Sequence, residues 1–218
     1  MSERTLQLDD ALQGYLDAHA LREPAACRQL RLRTRRLDKG GQISSPEQIQ
    51  LLALVARLLG ARRILEVGTF TGYMPLWLAP VLDEARFCCI DRDSSATGIA
   101  QEAWQAAGVS DRIELRLGEA RHELQRLAAK RGASFDLAYI DADKEGQIGH
   151  YEACMHLVHP GGLIAVDNVL WKGRVADQRY DDATTRAVRA FNDYVHGDDR
   201  VDLSLVPIGD GMSLLRRR

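Results

Sequence analysis

No stretch of this 218-residue sequence is apolar for long enough to cross a bilayer. The longest apolar runs, near residues 51–59 and 163–170, are short and carry Arg57 or Asp167 within them, whereas a spanning helix needs about 20 such residues. Met1-Ser2-Glu3-Arg4 leads into acids and glutamines rather than an apolar signal core, so a cytoplasmic location is expected. Charge of one sign is also lacking. Lys and Arg number 29 against 31 Asp and Glu, and a net −2 supplies no global field toward nucleic acid or an anionic membrane. Cysteine is scarce: Cys27, Cys88, Cys89 and Cys154 show no CxxC spacing. The adjacent Cys88 and Cys89 would point to opposite faces of a strand, as reduced packing residues do. With 45% hydrophobic and 28% charged residues, a disordered tail, a collagen-like chain and a disulfide miniprotein are all excluded.

What is present alternates between helix and strand. A polar helical segment near residues 5–20 is followed by a basic run, Arg28, Arg31, Arg33, Arg35 and Arg36. Ser45-Pro46-Glu47-Gln48 is a helix start, with Ser45 as cap, Pro46 at the first helical position and Gln48 returning a bond to the cap. Ile49, Leu52, Val55 and Leu59 continue it at helical spacing until Gly60. Buried strands are predicted at 63–67, 86–90, 113–117, 135–140 and 163–166. Helices are predicted near 73–83, 95–107, 121–130 and 145–158. That rhythm gives an α/β fold, a doubly wound, mostly parallel sheet with helices on both faces. After a helix near 183–196, strands at 202–207 and 212–216 flank the turn Ile208-Gly209-Asp210-Gly211, so the sheet should close with an antiparallel C-terminal strand. No linker or repeat interrupts residues 1–218, and a single domain is expected.

The first chemical signal is Glu66-Val67-Gly68-Thr69-Phe70-Thr71-Gly72-Tyr73, directly after the first strand. Gly68 and Gly72 permit a tight turn and close backbone approach. A nicotinamide fingerprint would need glycine where Phe70 and Tyr73 stand, so a dinucleotide is disfavoured. Glu66 suits a ligand with a cationic amino group, and Asp91, ending the second strand, can take both ribose hydroxyls. Together they point to S-adenosylmethionine; the alternative is a structural strand-turn-helix joint. The second signal is Asp141-Ala142-Asp143-Lys144 with Asp167-Asn168, both at strand ends that converge on the crevice of an open sheet. Asp141, Asp167 and Asn168 offer three hard oxygen ligands for Mg²⁺, with Mn²⁺ or Ca²⁺ also possible. A lysine beside a cation, such as Lys144, can serve as a base, because neighbouring positive charge favours the neutral form. The alternative is helix capping by Asp143 and Asp167 with Lys144 on the surface.

These segments, with Gln42-Ile43, Val169-Leu170-Trp171 and Pro207-Ile208-Gly209-Asp210-Gly211, resemble in order and spacing the cation-dependent O-methyltransferases of caffeoyl-CoA and catechol type. The resemblance runs from about residue 30 to the C-terminus. It implies a seven-stranded Rossmann-like class I methyltransferase, a homodimer, S-adenosylmethionine and a divalent metal. It assigns cofactor binding to the positions of Ser44, Glu66, Gly68, Thr69, Met74, Asp91, Ala120, Asp141 and Asp143. Asp141, Asp167 and Asn168 become the metal ligands, Lys144 the base with Asp141 beside it, and Trp171 and Lys172 the acceptor contacts. It further implies that the N-terminal segment 1–40 contributes to the substrate site or dimer, and that the acceptor is a small aromatic vicinal diol.

Three positions depart from the family. Met74 replaces the usual serine, which puts the contact to the cofactor carboxylate in doubt. Gln147 replaces a frequent tyrosine, and Lys172 stands where plant members often carry asparagine, so caffeoyl-CoA itself does not follow. The arginine run would either attract an anionic acceptor or form a solvated helix face. Methylation of a hydroxyuridine in tRNA is the competing function, opposed by the −2 charge and by the lack of an appended RNA-binding module. A non-enzymatic binding module, suggested only by Met74, is opposed by the retained ligand set and Lys144.

Overall fold

The computed structural model describes residues 6–130, 132 and 134–218; the N-terminal helix expected from residue 5 therefore has its first residue outside them. Along the chain run α1 (Asp10–His19), α2 (Ala25–Thr34), α3 (Pro46–Leu58), β1 (Arg63–Val67), α4 (Tyr73–Leu78), β2 (Arg86–Asp91), α5 (Ser94–Ala106) and β3 (Ile113–Leu117). They are followed by α6 (Ala120–Ala128), β4 (Phe135–Ile140), α7 (Gln147–Leu157), β5 (Val158–Asp167), α8 (Ala183–His196), β6 (Val201–Val206) and β7 (Met212–Arg217). The seven strands form one sheet in the order β3-β2-β1-β4-β5-β7-β6. Pairing is parallel from β3 to β5, and β7 inserts antiparallel between β5 and β6. The fold is the expected doubly wound one with an antiparallel C-terminal strand.

Its central strands read as unbroken apolar runs because both faces are covered. On one face Ile64, Cys89, Leu137 and Tyr139 meet Ile49 and Leu52 of α3, Trp77 of α4 and Trp104 of α5. On the other, Leu65, Ile90, Ala138 and Ile140 meet Leu124 of α6, Tyr151 of α7 and Phe191 of α8. This period-two division puts Cys88 and Cys89 in different clusters, and all four cysteines are buried and free. The helix starts follow their caps. Ser45 and Gln48 form the reciprocal box at α3, Asp93 accepts from Ser95 and Ala96 at α5, and Asp182 accepts from Thr185 at α8.

Two boundaries differ from expectation. The helix expected over 73–83 stops at Leu78 and continues only as the 3₁₀ turn Ala79–Val81, where Pro80 has no N–H to extend the ladder. The strand predicted at 163–166 starts earlier, so that His159-Pro160-Gly161-Gly162 lies within β5. Val158 already pairs with Phe135, and the register then shifts so that Leu163 pairs with Leu137. The residues between bulge out of the ladder.

Candidate active site

The strand order reverses between β1 and β4, and in such sheets ligands bind beyond the carboxyl ends of the strands at that point. A cavity of about 1220 Å³ opens there. Gly68 (φ +90°) lets β1 pass beside β4, since a Cβ there would lie 2.1 Å from the Asp141 carbonyl oxygen. Gly72 (φ +78°) rests on Trp104, whose ring would be 2.6 Å from an added Cβ and whose Nε1 donates to the Gly72 carbonyl at 3.0 Å. Thr71 is tied to Thr34 of α2 at 2.9 Å, so the loop after β1 is held from two sides.

Of the expected cofactor positions, Ser44, Gly68, Asp91, Ala120, Asp141 and Asp143 line this cavity. The two oxygens of Asp91 accept from the backbone N–H of Phe70 (2.7 Å) and of Asp93 (2.8 Å), which fixes the carboxylate at the tip of β2. Glu66, Thr69 and Met74 are not on its wall. Met74 is packed in the apolar core, 1% exposed, so no polar contact to a ligand carboxylate comes from that side chain. Glu66 lies beneath the loop, where Thr69 donates to its carboxylate. Burial pushes the Glu66 carboxyl up to about 8, against the lowering effect of that bond.

Asp141, Lys144, Asp167, Asn168, Trp171 and Lys172 line the same cavity. Lys144 Nζ donates to Asp141 Oδ1 at 3.2 Å and is nearly buried. Asp167 is fully buried, and its carboxyl is held above the usual range by desolvation and by the neighbouring charge of Asp141. Asn168, Trp171 and Lys172 hold left-handed φ values of 59°, 47° and 55°. The turn after β6 stabilises that backbone: Asp210 accepts from the Leu170 N–H through its carbonyl (2.9 Å) and from the Lys172 N–H through its side chain. Strained backbone of this kind gathers where side chains must be presented. The buried Trp171 indole N–H has no acceptor among the described residues.

The donor set fits a hard divalent cation. Two interacting carboxylates, Asp167 buried and Asp141 half-buried, share the cavity wall with Asn168, and a cation would offset their mutual repulsion. Among the described residues, no three His, Cys, Asp or Glu side chains gather as a metal cluster, so the trio is complete only with Asn168. Asp143 does not cap α7, as the alternative supposed: its Oδ2 accepts from the N–H of Gly146 at 2.8 Å in the turn before the helix, whose start has no side-chain cap.

The arginine run contributes nothing to this wall; Lys39 lines it instead. Arg31 turns inward to a bidentate bond with Glu23, and Arg33 pairs with Glu102 on the surface. Sequence reasoning missed Lys39, Gln42, Thr184 and Asp210 on the wall, and the partners of Asp167. Gln48 Nε2 donates to Asp167 Oδ1, and the Tyr139 hydroxyl donates to Oδ2, both at 2.7 Å. The one available signal was Gln48 in the capping box, which does not show where its amide N–H points.

Sheet order, glycine loop and strand-end carboxylates together define a class I methyltransferase. The sequence matches the O-methyltransferase family over residues 17–218, and the chain belongs to that family. It is an enzyme that takes its methyl group from S-adenosylmethionine. Among its relatives is the catechol O-methyltransferase domain-containing protein 1 of Mus musculus, 41% identical over 208 residues, covering 94% of this chain and 79% of that one. The caffeoyl-CoA O-methyltransferase 2 of Zea mays is 35% identical, covering 97% and 84%. Among solved structures, the O-methyltransferase TomG of Streptomyces achromogenes, in complex with S-adenosylmethionine, superposes with a TM-score of 0.86 at 31% identity, covering 95% of this chain and 96% of that one.

Proposed function

We propose that this chain methylates one hydroxyl of a small aromatic vicinal diol, with a divalent cation held by Asp141, Asp167 and Asn168. The observation that carries the reading is the convergence of these three residues with Lys144 on the wall of the cavity that Asp91 and Ala120 also line. The cation, when bound, lowers the pKa of the diol hydroxyls and fixes their orientation. Gly68, Asp91 and Ala120 hold the cofactor, while Asp143 and Ser44 border it. Asp141 anchors Lys144 through Nζ; as the neutral amine, the form that a neighbouring cation favours, Nζ takes the proton of the hydroxyl to be methylated and becomes the ammonium. The freed oxygen pair forms the new bond to the methyl carbon as the carbon–sulfur pair returns to sulfur, an in-line displacement in which positioning supplies most of the advantage. Trp171 and Lys172, both on the cavity wall, flank the acceptor. Acidic side chains outnumber basic ones on the wall, which suits a sulfonium and a metal ion better than a polyanion.

The same reading makes the chain a single-domain cytoplasmic homodimer; light scattering at about twice 24.3 kDa tests the assembly. No helix among the described residues is long and apolar enough to cross a membrane. The metal is tested by chelation. EDTA is expected to abolish transfer of labelled methyl to catechol, and Mg²⁺ or Mn²⁺ to restore it. Asp167→Ala should resemble chelated enzyme while keeping its affinity for S-adenosylhomocysteine. Full turnover in excess EDTA, with no residual metal, overturns the reading.

A further inference from the structure

We propose that Gln48 and Tyr139 are positioning residues that leave the Asp167 carboxylate one free lone pair, on Oδ2, and thereby favour a small octahedral cation. The inference rests on the metal site proposed above. A carboxylate offers about four acceptor positions. At Asp167 three are taken. Oδ1 accepts from Gln48 Nε2 at 2.7 Å and from the Asn168 N–H at 2.6 Å, and Oδ2 accepts from the Tyr139 hydroxyl at 2.7 Å. The donors come from the first turn of α3, the end of β4 and the chain after β5, so the side chain is braced from three directions.

Neither side-chain donor can readily turn away. Gln48 is 1% exposed, and its Oε1 faces the Ser45 N–H at 3.3 Å as the second half of the capping box. Flipping the amide would set Oε1 against a carboxylate and an N–H₂ against an N–H. Tyr139 is likewise 1% exposed, and its hydroxyl sits between Asp167 Oδ2 at 2.7 Å and Ser44 Oγ at 3.1 Å, the shorter contact going to the carboxylate. A residue that begins as a helix cap thus also orients a strand-end carboxylate 119 positions away. With one lone pair left, Asp167 can bind a cation only through one oxygen. That suits Mg²⁺ or Mn²⁺, which take single carboxylate oxygens in octahedral sites, over Ca²⁺, whose larger shell uses bidentate carboxylates.

The test is direct titration of the full chain with Mn²⁺, free ion being followed by electron paramagnetic resonance, and with Ca²⁺ as competitor. Wild type, Gln48→Met and Tyr139→Phe are compared, with thermal unfolding to establish that each is folded. Both variants are expected to bind Mn²⁺ about 10–100-fold more weakly, the usual effect of losing a partner of a metal ligand. Tyr139→Phe, which frees a second lone pair on Oδ2, should also narrow the preference for Mn²⁺ over Ca²⁺. Gln48→Met should keep S-adenosylhomocysteine affinity within about twofold, because the Gln48 amide bonds Asp167, a residue assigned to the metal alone, and none of the residues assigned to the cofactor. Folded variants with wild-type Mn²⁺ affinity overturn the proposal, as does an equal loss of cofactor and metal affinity. A wild type that binds no Mn²⁺ overturns instead the metal reading beneath it.

Discussion

Glu66 at 2% exposure carries a carboxyl pushed up to about 8 by burial, although an exposed glutamate titrates near 4.5. Between those pH values the folded state keeps a proton that the unfolded chain has released. Stability from this group is therefore fully present below about pH 4.5 and is lost as pH rises toward 8. Asp167 adds a slope of the same sign, so the informative quantity is the difference made by one substitution. Glu66→Gln should lose less thermal stability than wild type between about pH 5 and pH 8; parallel pH profiles would contradict this. Asp91 differs, because both of its oxygens already hold backbone N–H groups. Asp91→Ala should weaken S-adenosylhomocysteine binding by about 1–3 kcal/mol in calorimetry, the cost of leaving polar groups unpaired. Lys144→Ala should lower kcat far more than it raises KM, since its role is proton transfer rather than holding the acceptor. A rise in KM with unchanged kcat would remove it from the chemistry.

Among the elements, α2 and α4 are joined by one nearly buried cluster. Glu23 accepts from Arg31 Nε at 2.7 Å and Nη2 at 2.6 Å, and from the Tyr73 hydroxyl at 2.6 Å. Removing one partner of such a pair leaves a desolvated charge. Glu23→Ala should cost about 3 kcal/mol in denaturant unfolding, with an unchanged slope; a change within about 0.5 kcal/mol would mean that solvent already screens the pair. The cluster also shows what was legible in the chain and what was not. The central strands were readable because residues such as Ile64-Leu65 and Phe87 to Ile90 are buried on both sheet faces, leaving apolar runs with no polar interruption. The carboxylates at their ends were readable because a strand end in this topology faces the crevice. Arginines at helical spacing, by contrast, do not reveal that Arg31 alone turns inward to Glu23. Glu66 beside the glycine loop looks like a wall residue, yet Thr69 folds back to cover it. The bulge over 159–162 was hidden because proline and glycine mark a turn equally well when the strand resumes after it.

On the scale of the whole molecule, the carboxyl ends of the central strands carry the chemistry. The switch between β1 and β4 brings Gly68 beside Asp141, and β5 brings Asp167 and Asn168 to the same mouth. The turn between β6 and β7 then holds the chain that presents Trp171 and Lys172. Selection of a vicinal diol depends on that mouth accepting two adjacent oxygens. A lone phenol would present one and lose the fixed orientation, an advantage worth several powers of ten in well-aligned reactions. The decisive measurement is kcat/KM for catechol against phenol, with Mg²⁺ and labelled S-adenosylmethionine. Phenol is expected to fall below catechol by at least about 100-fold. Equal values for the two, or a tRNA methylated in preference to both, would contradict it.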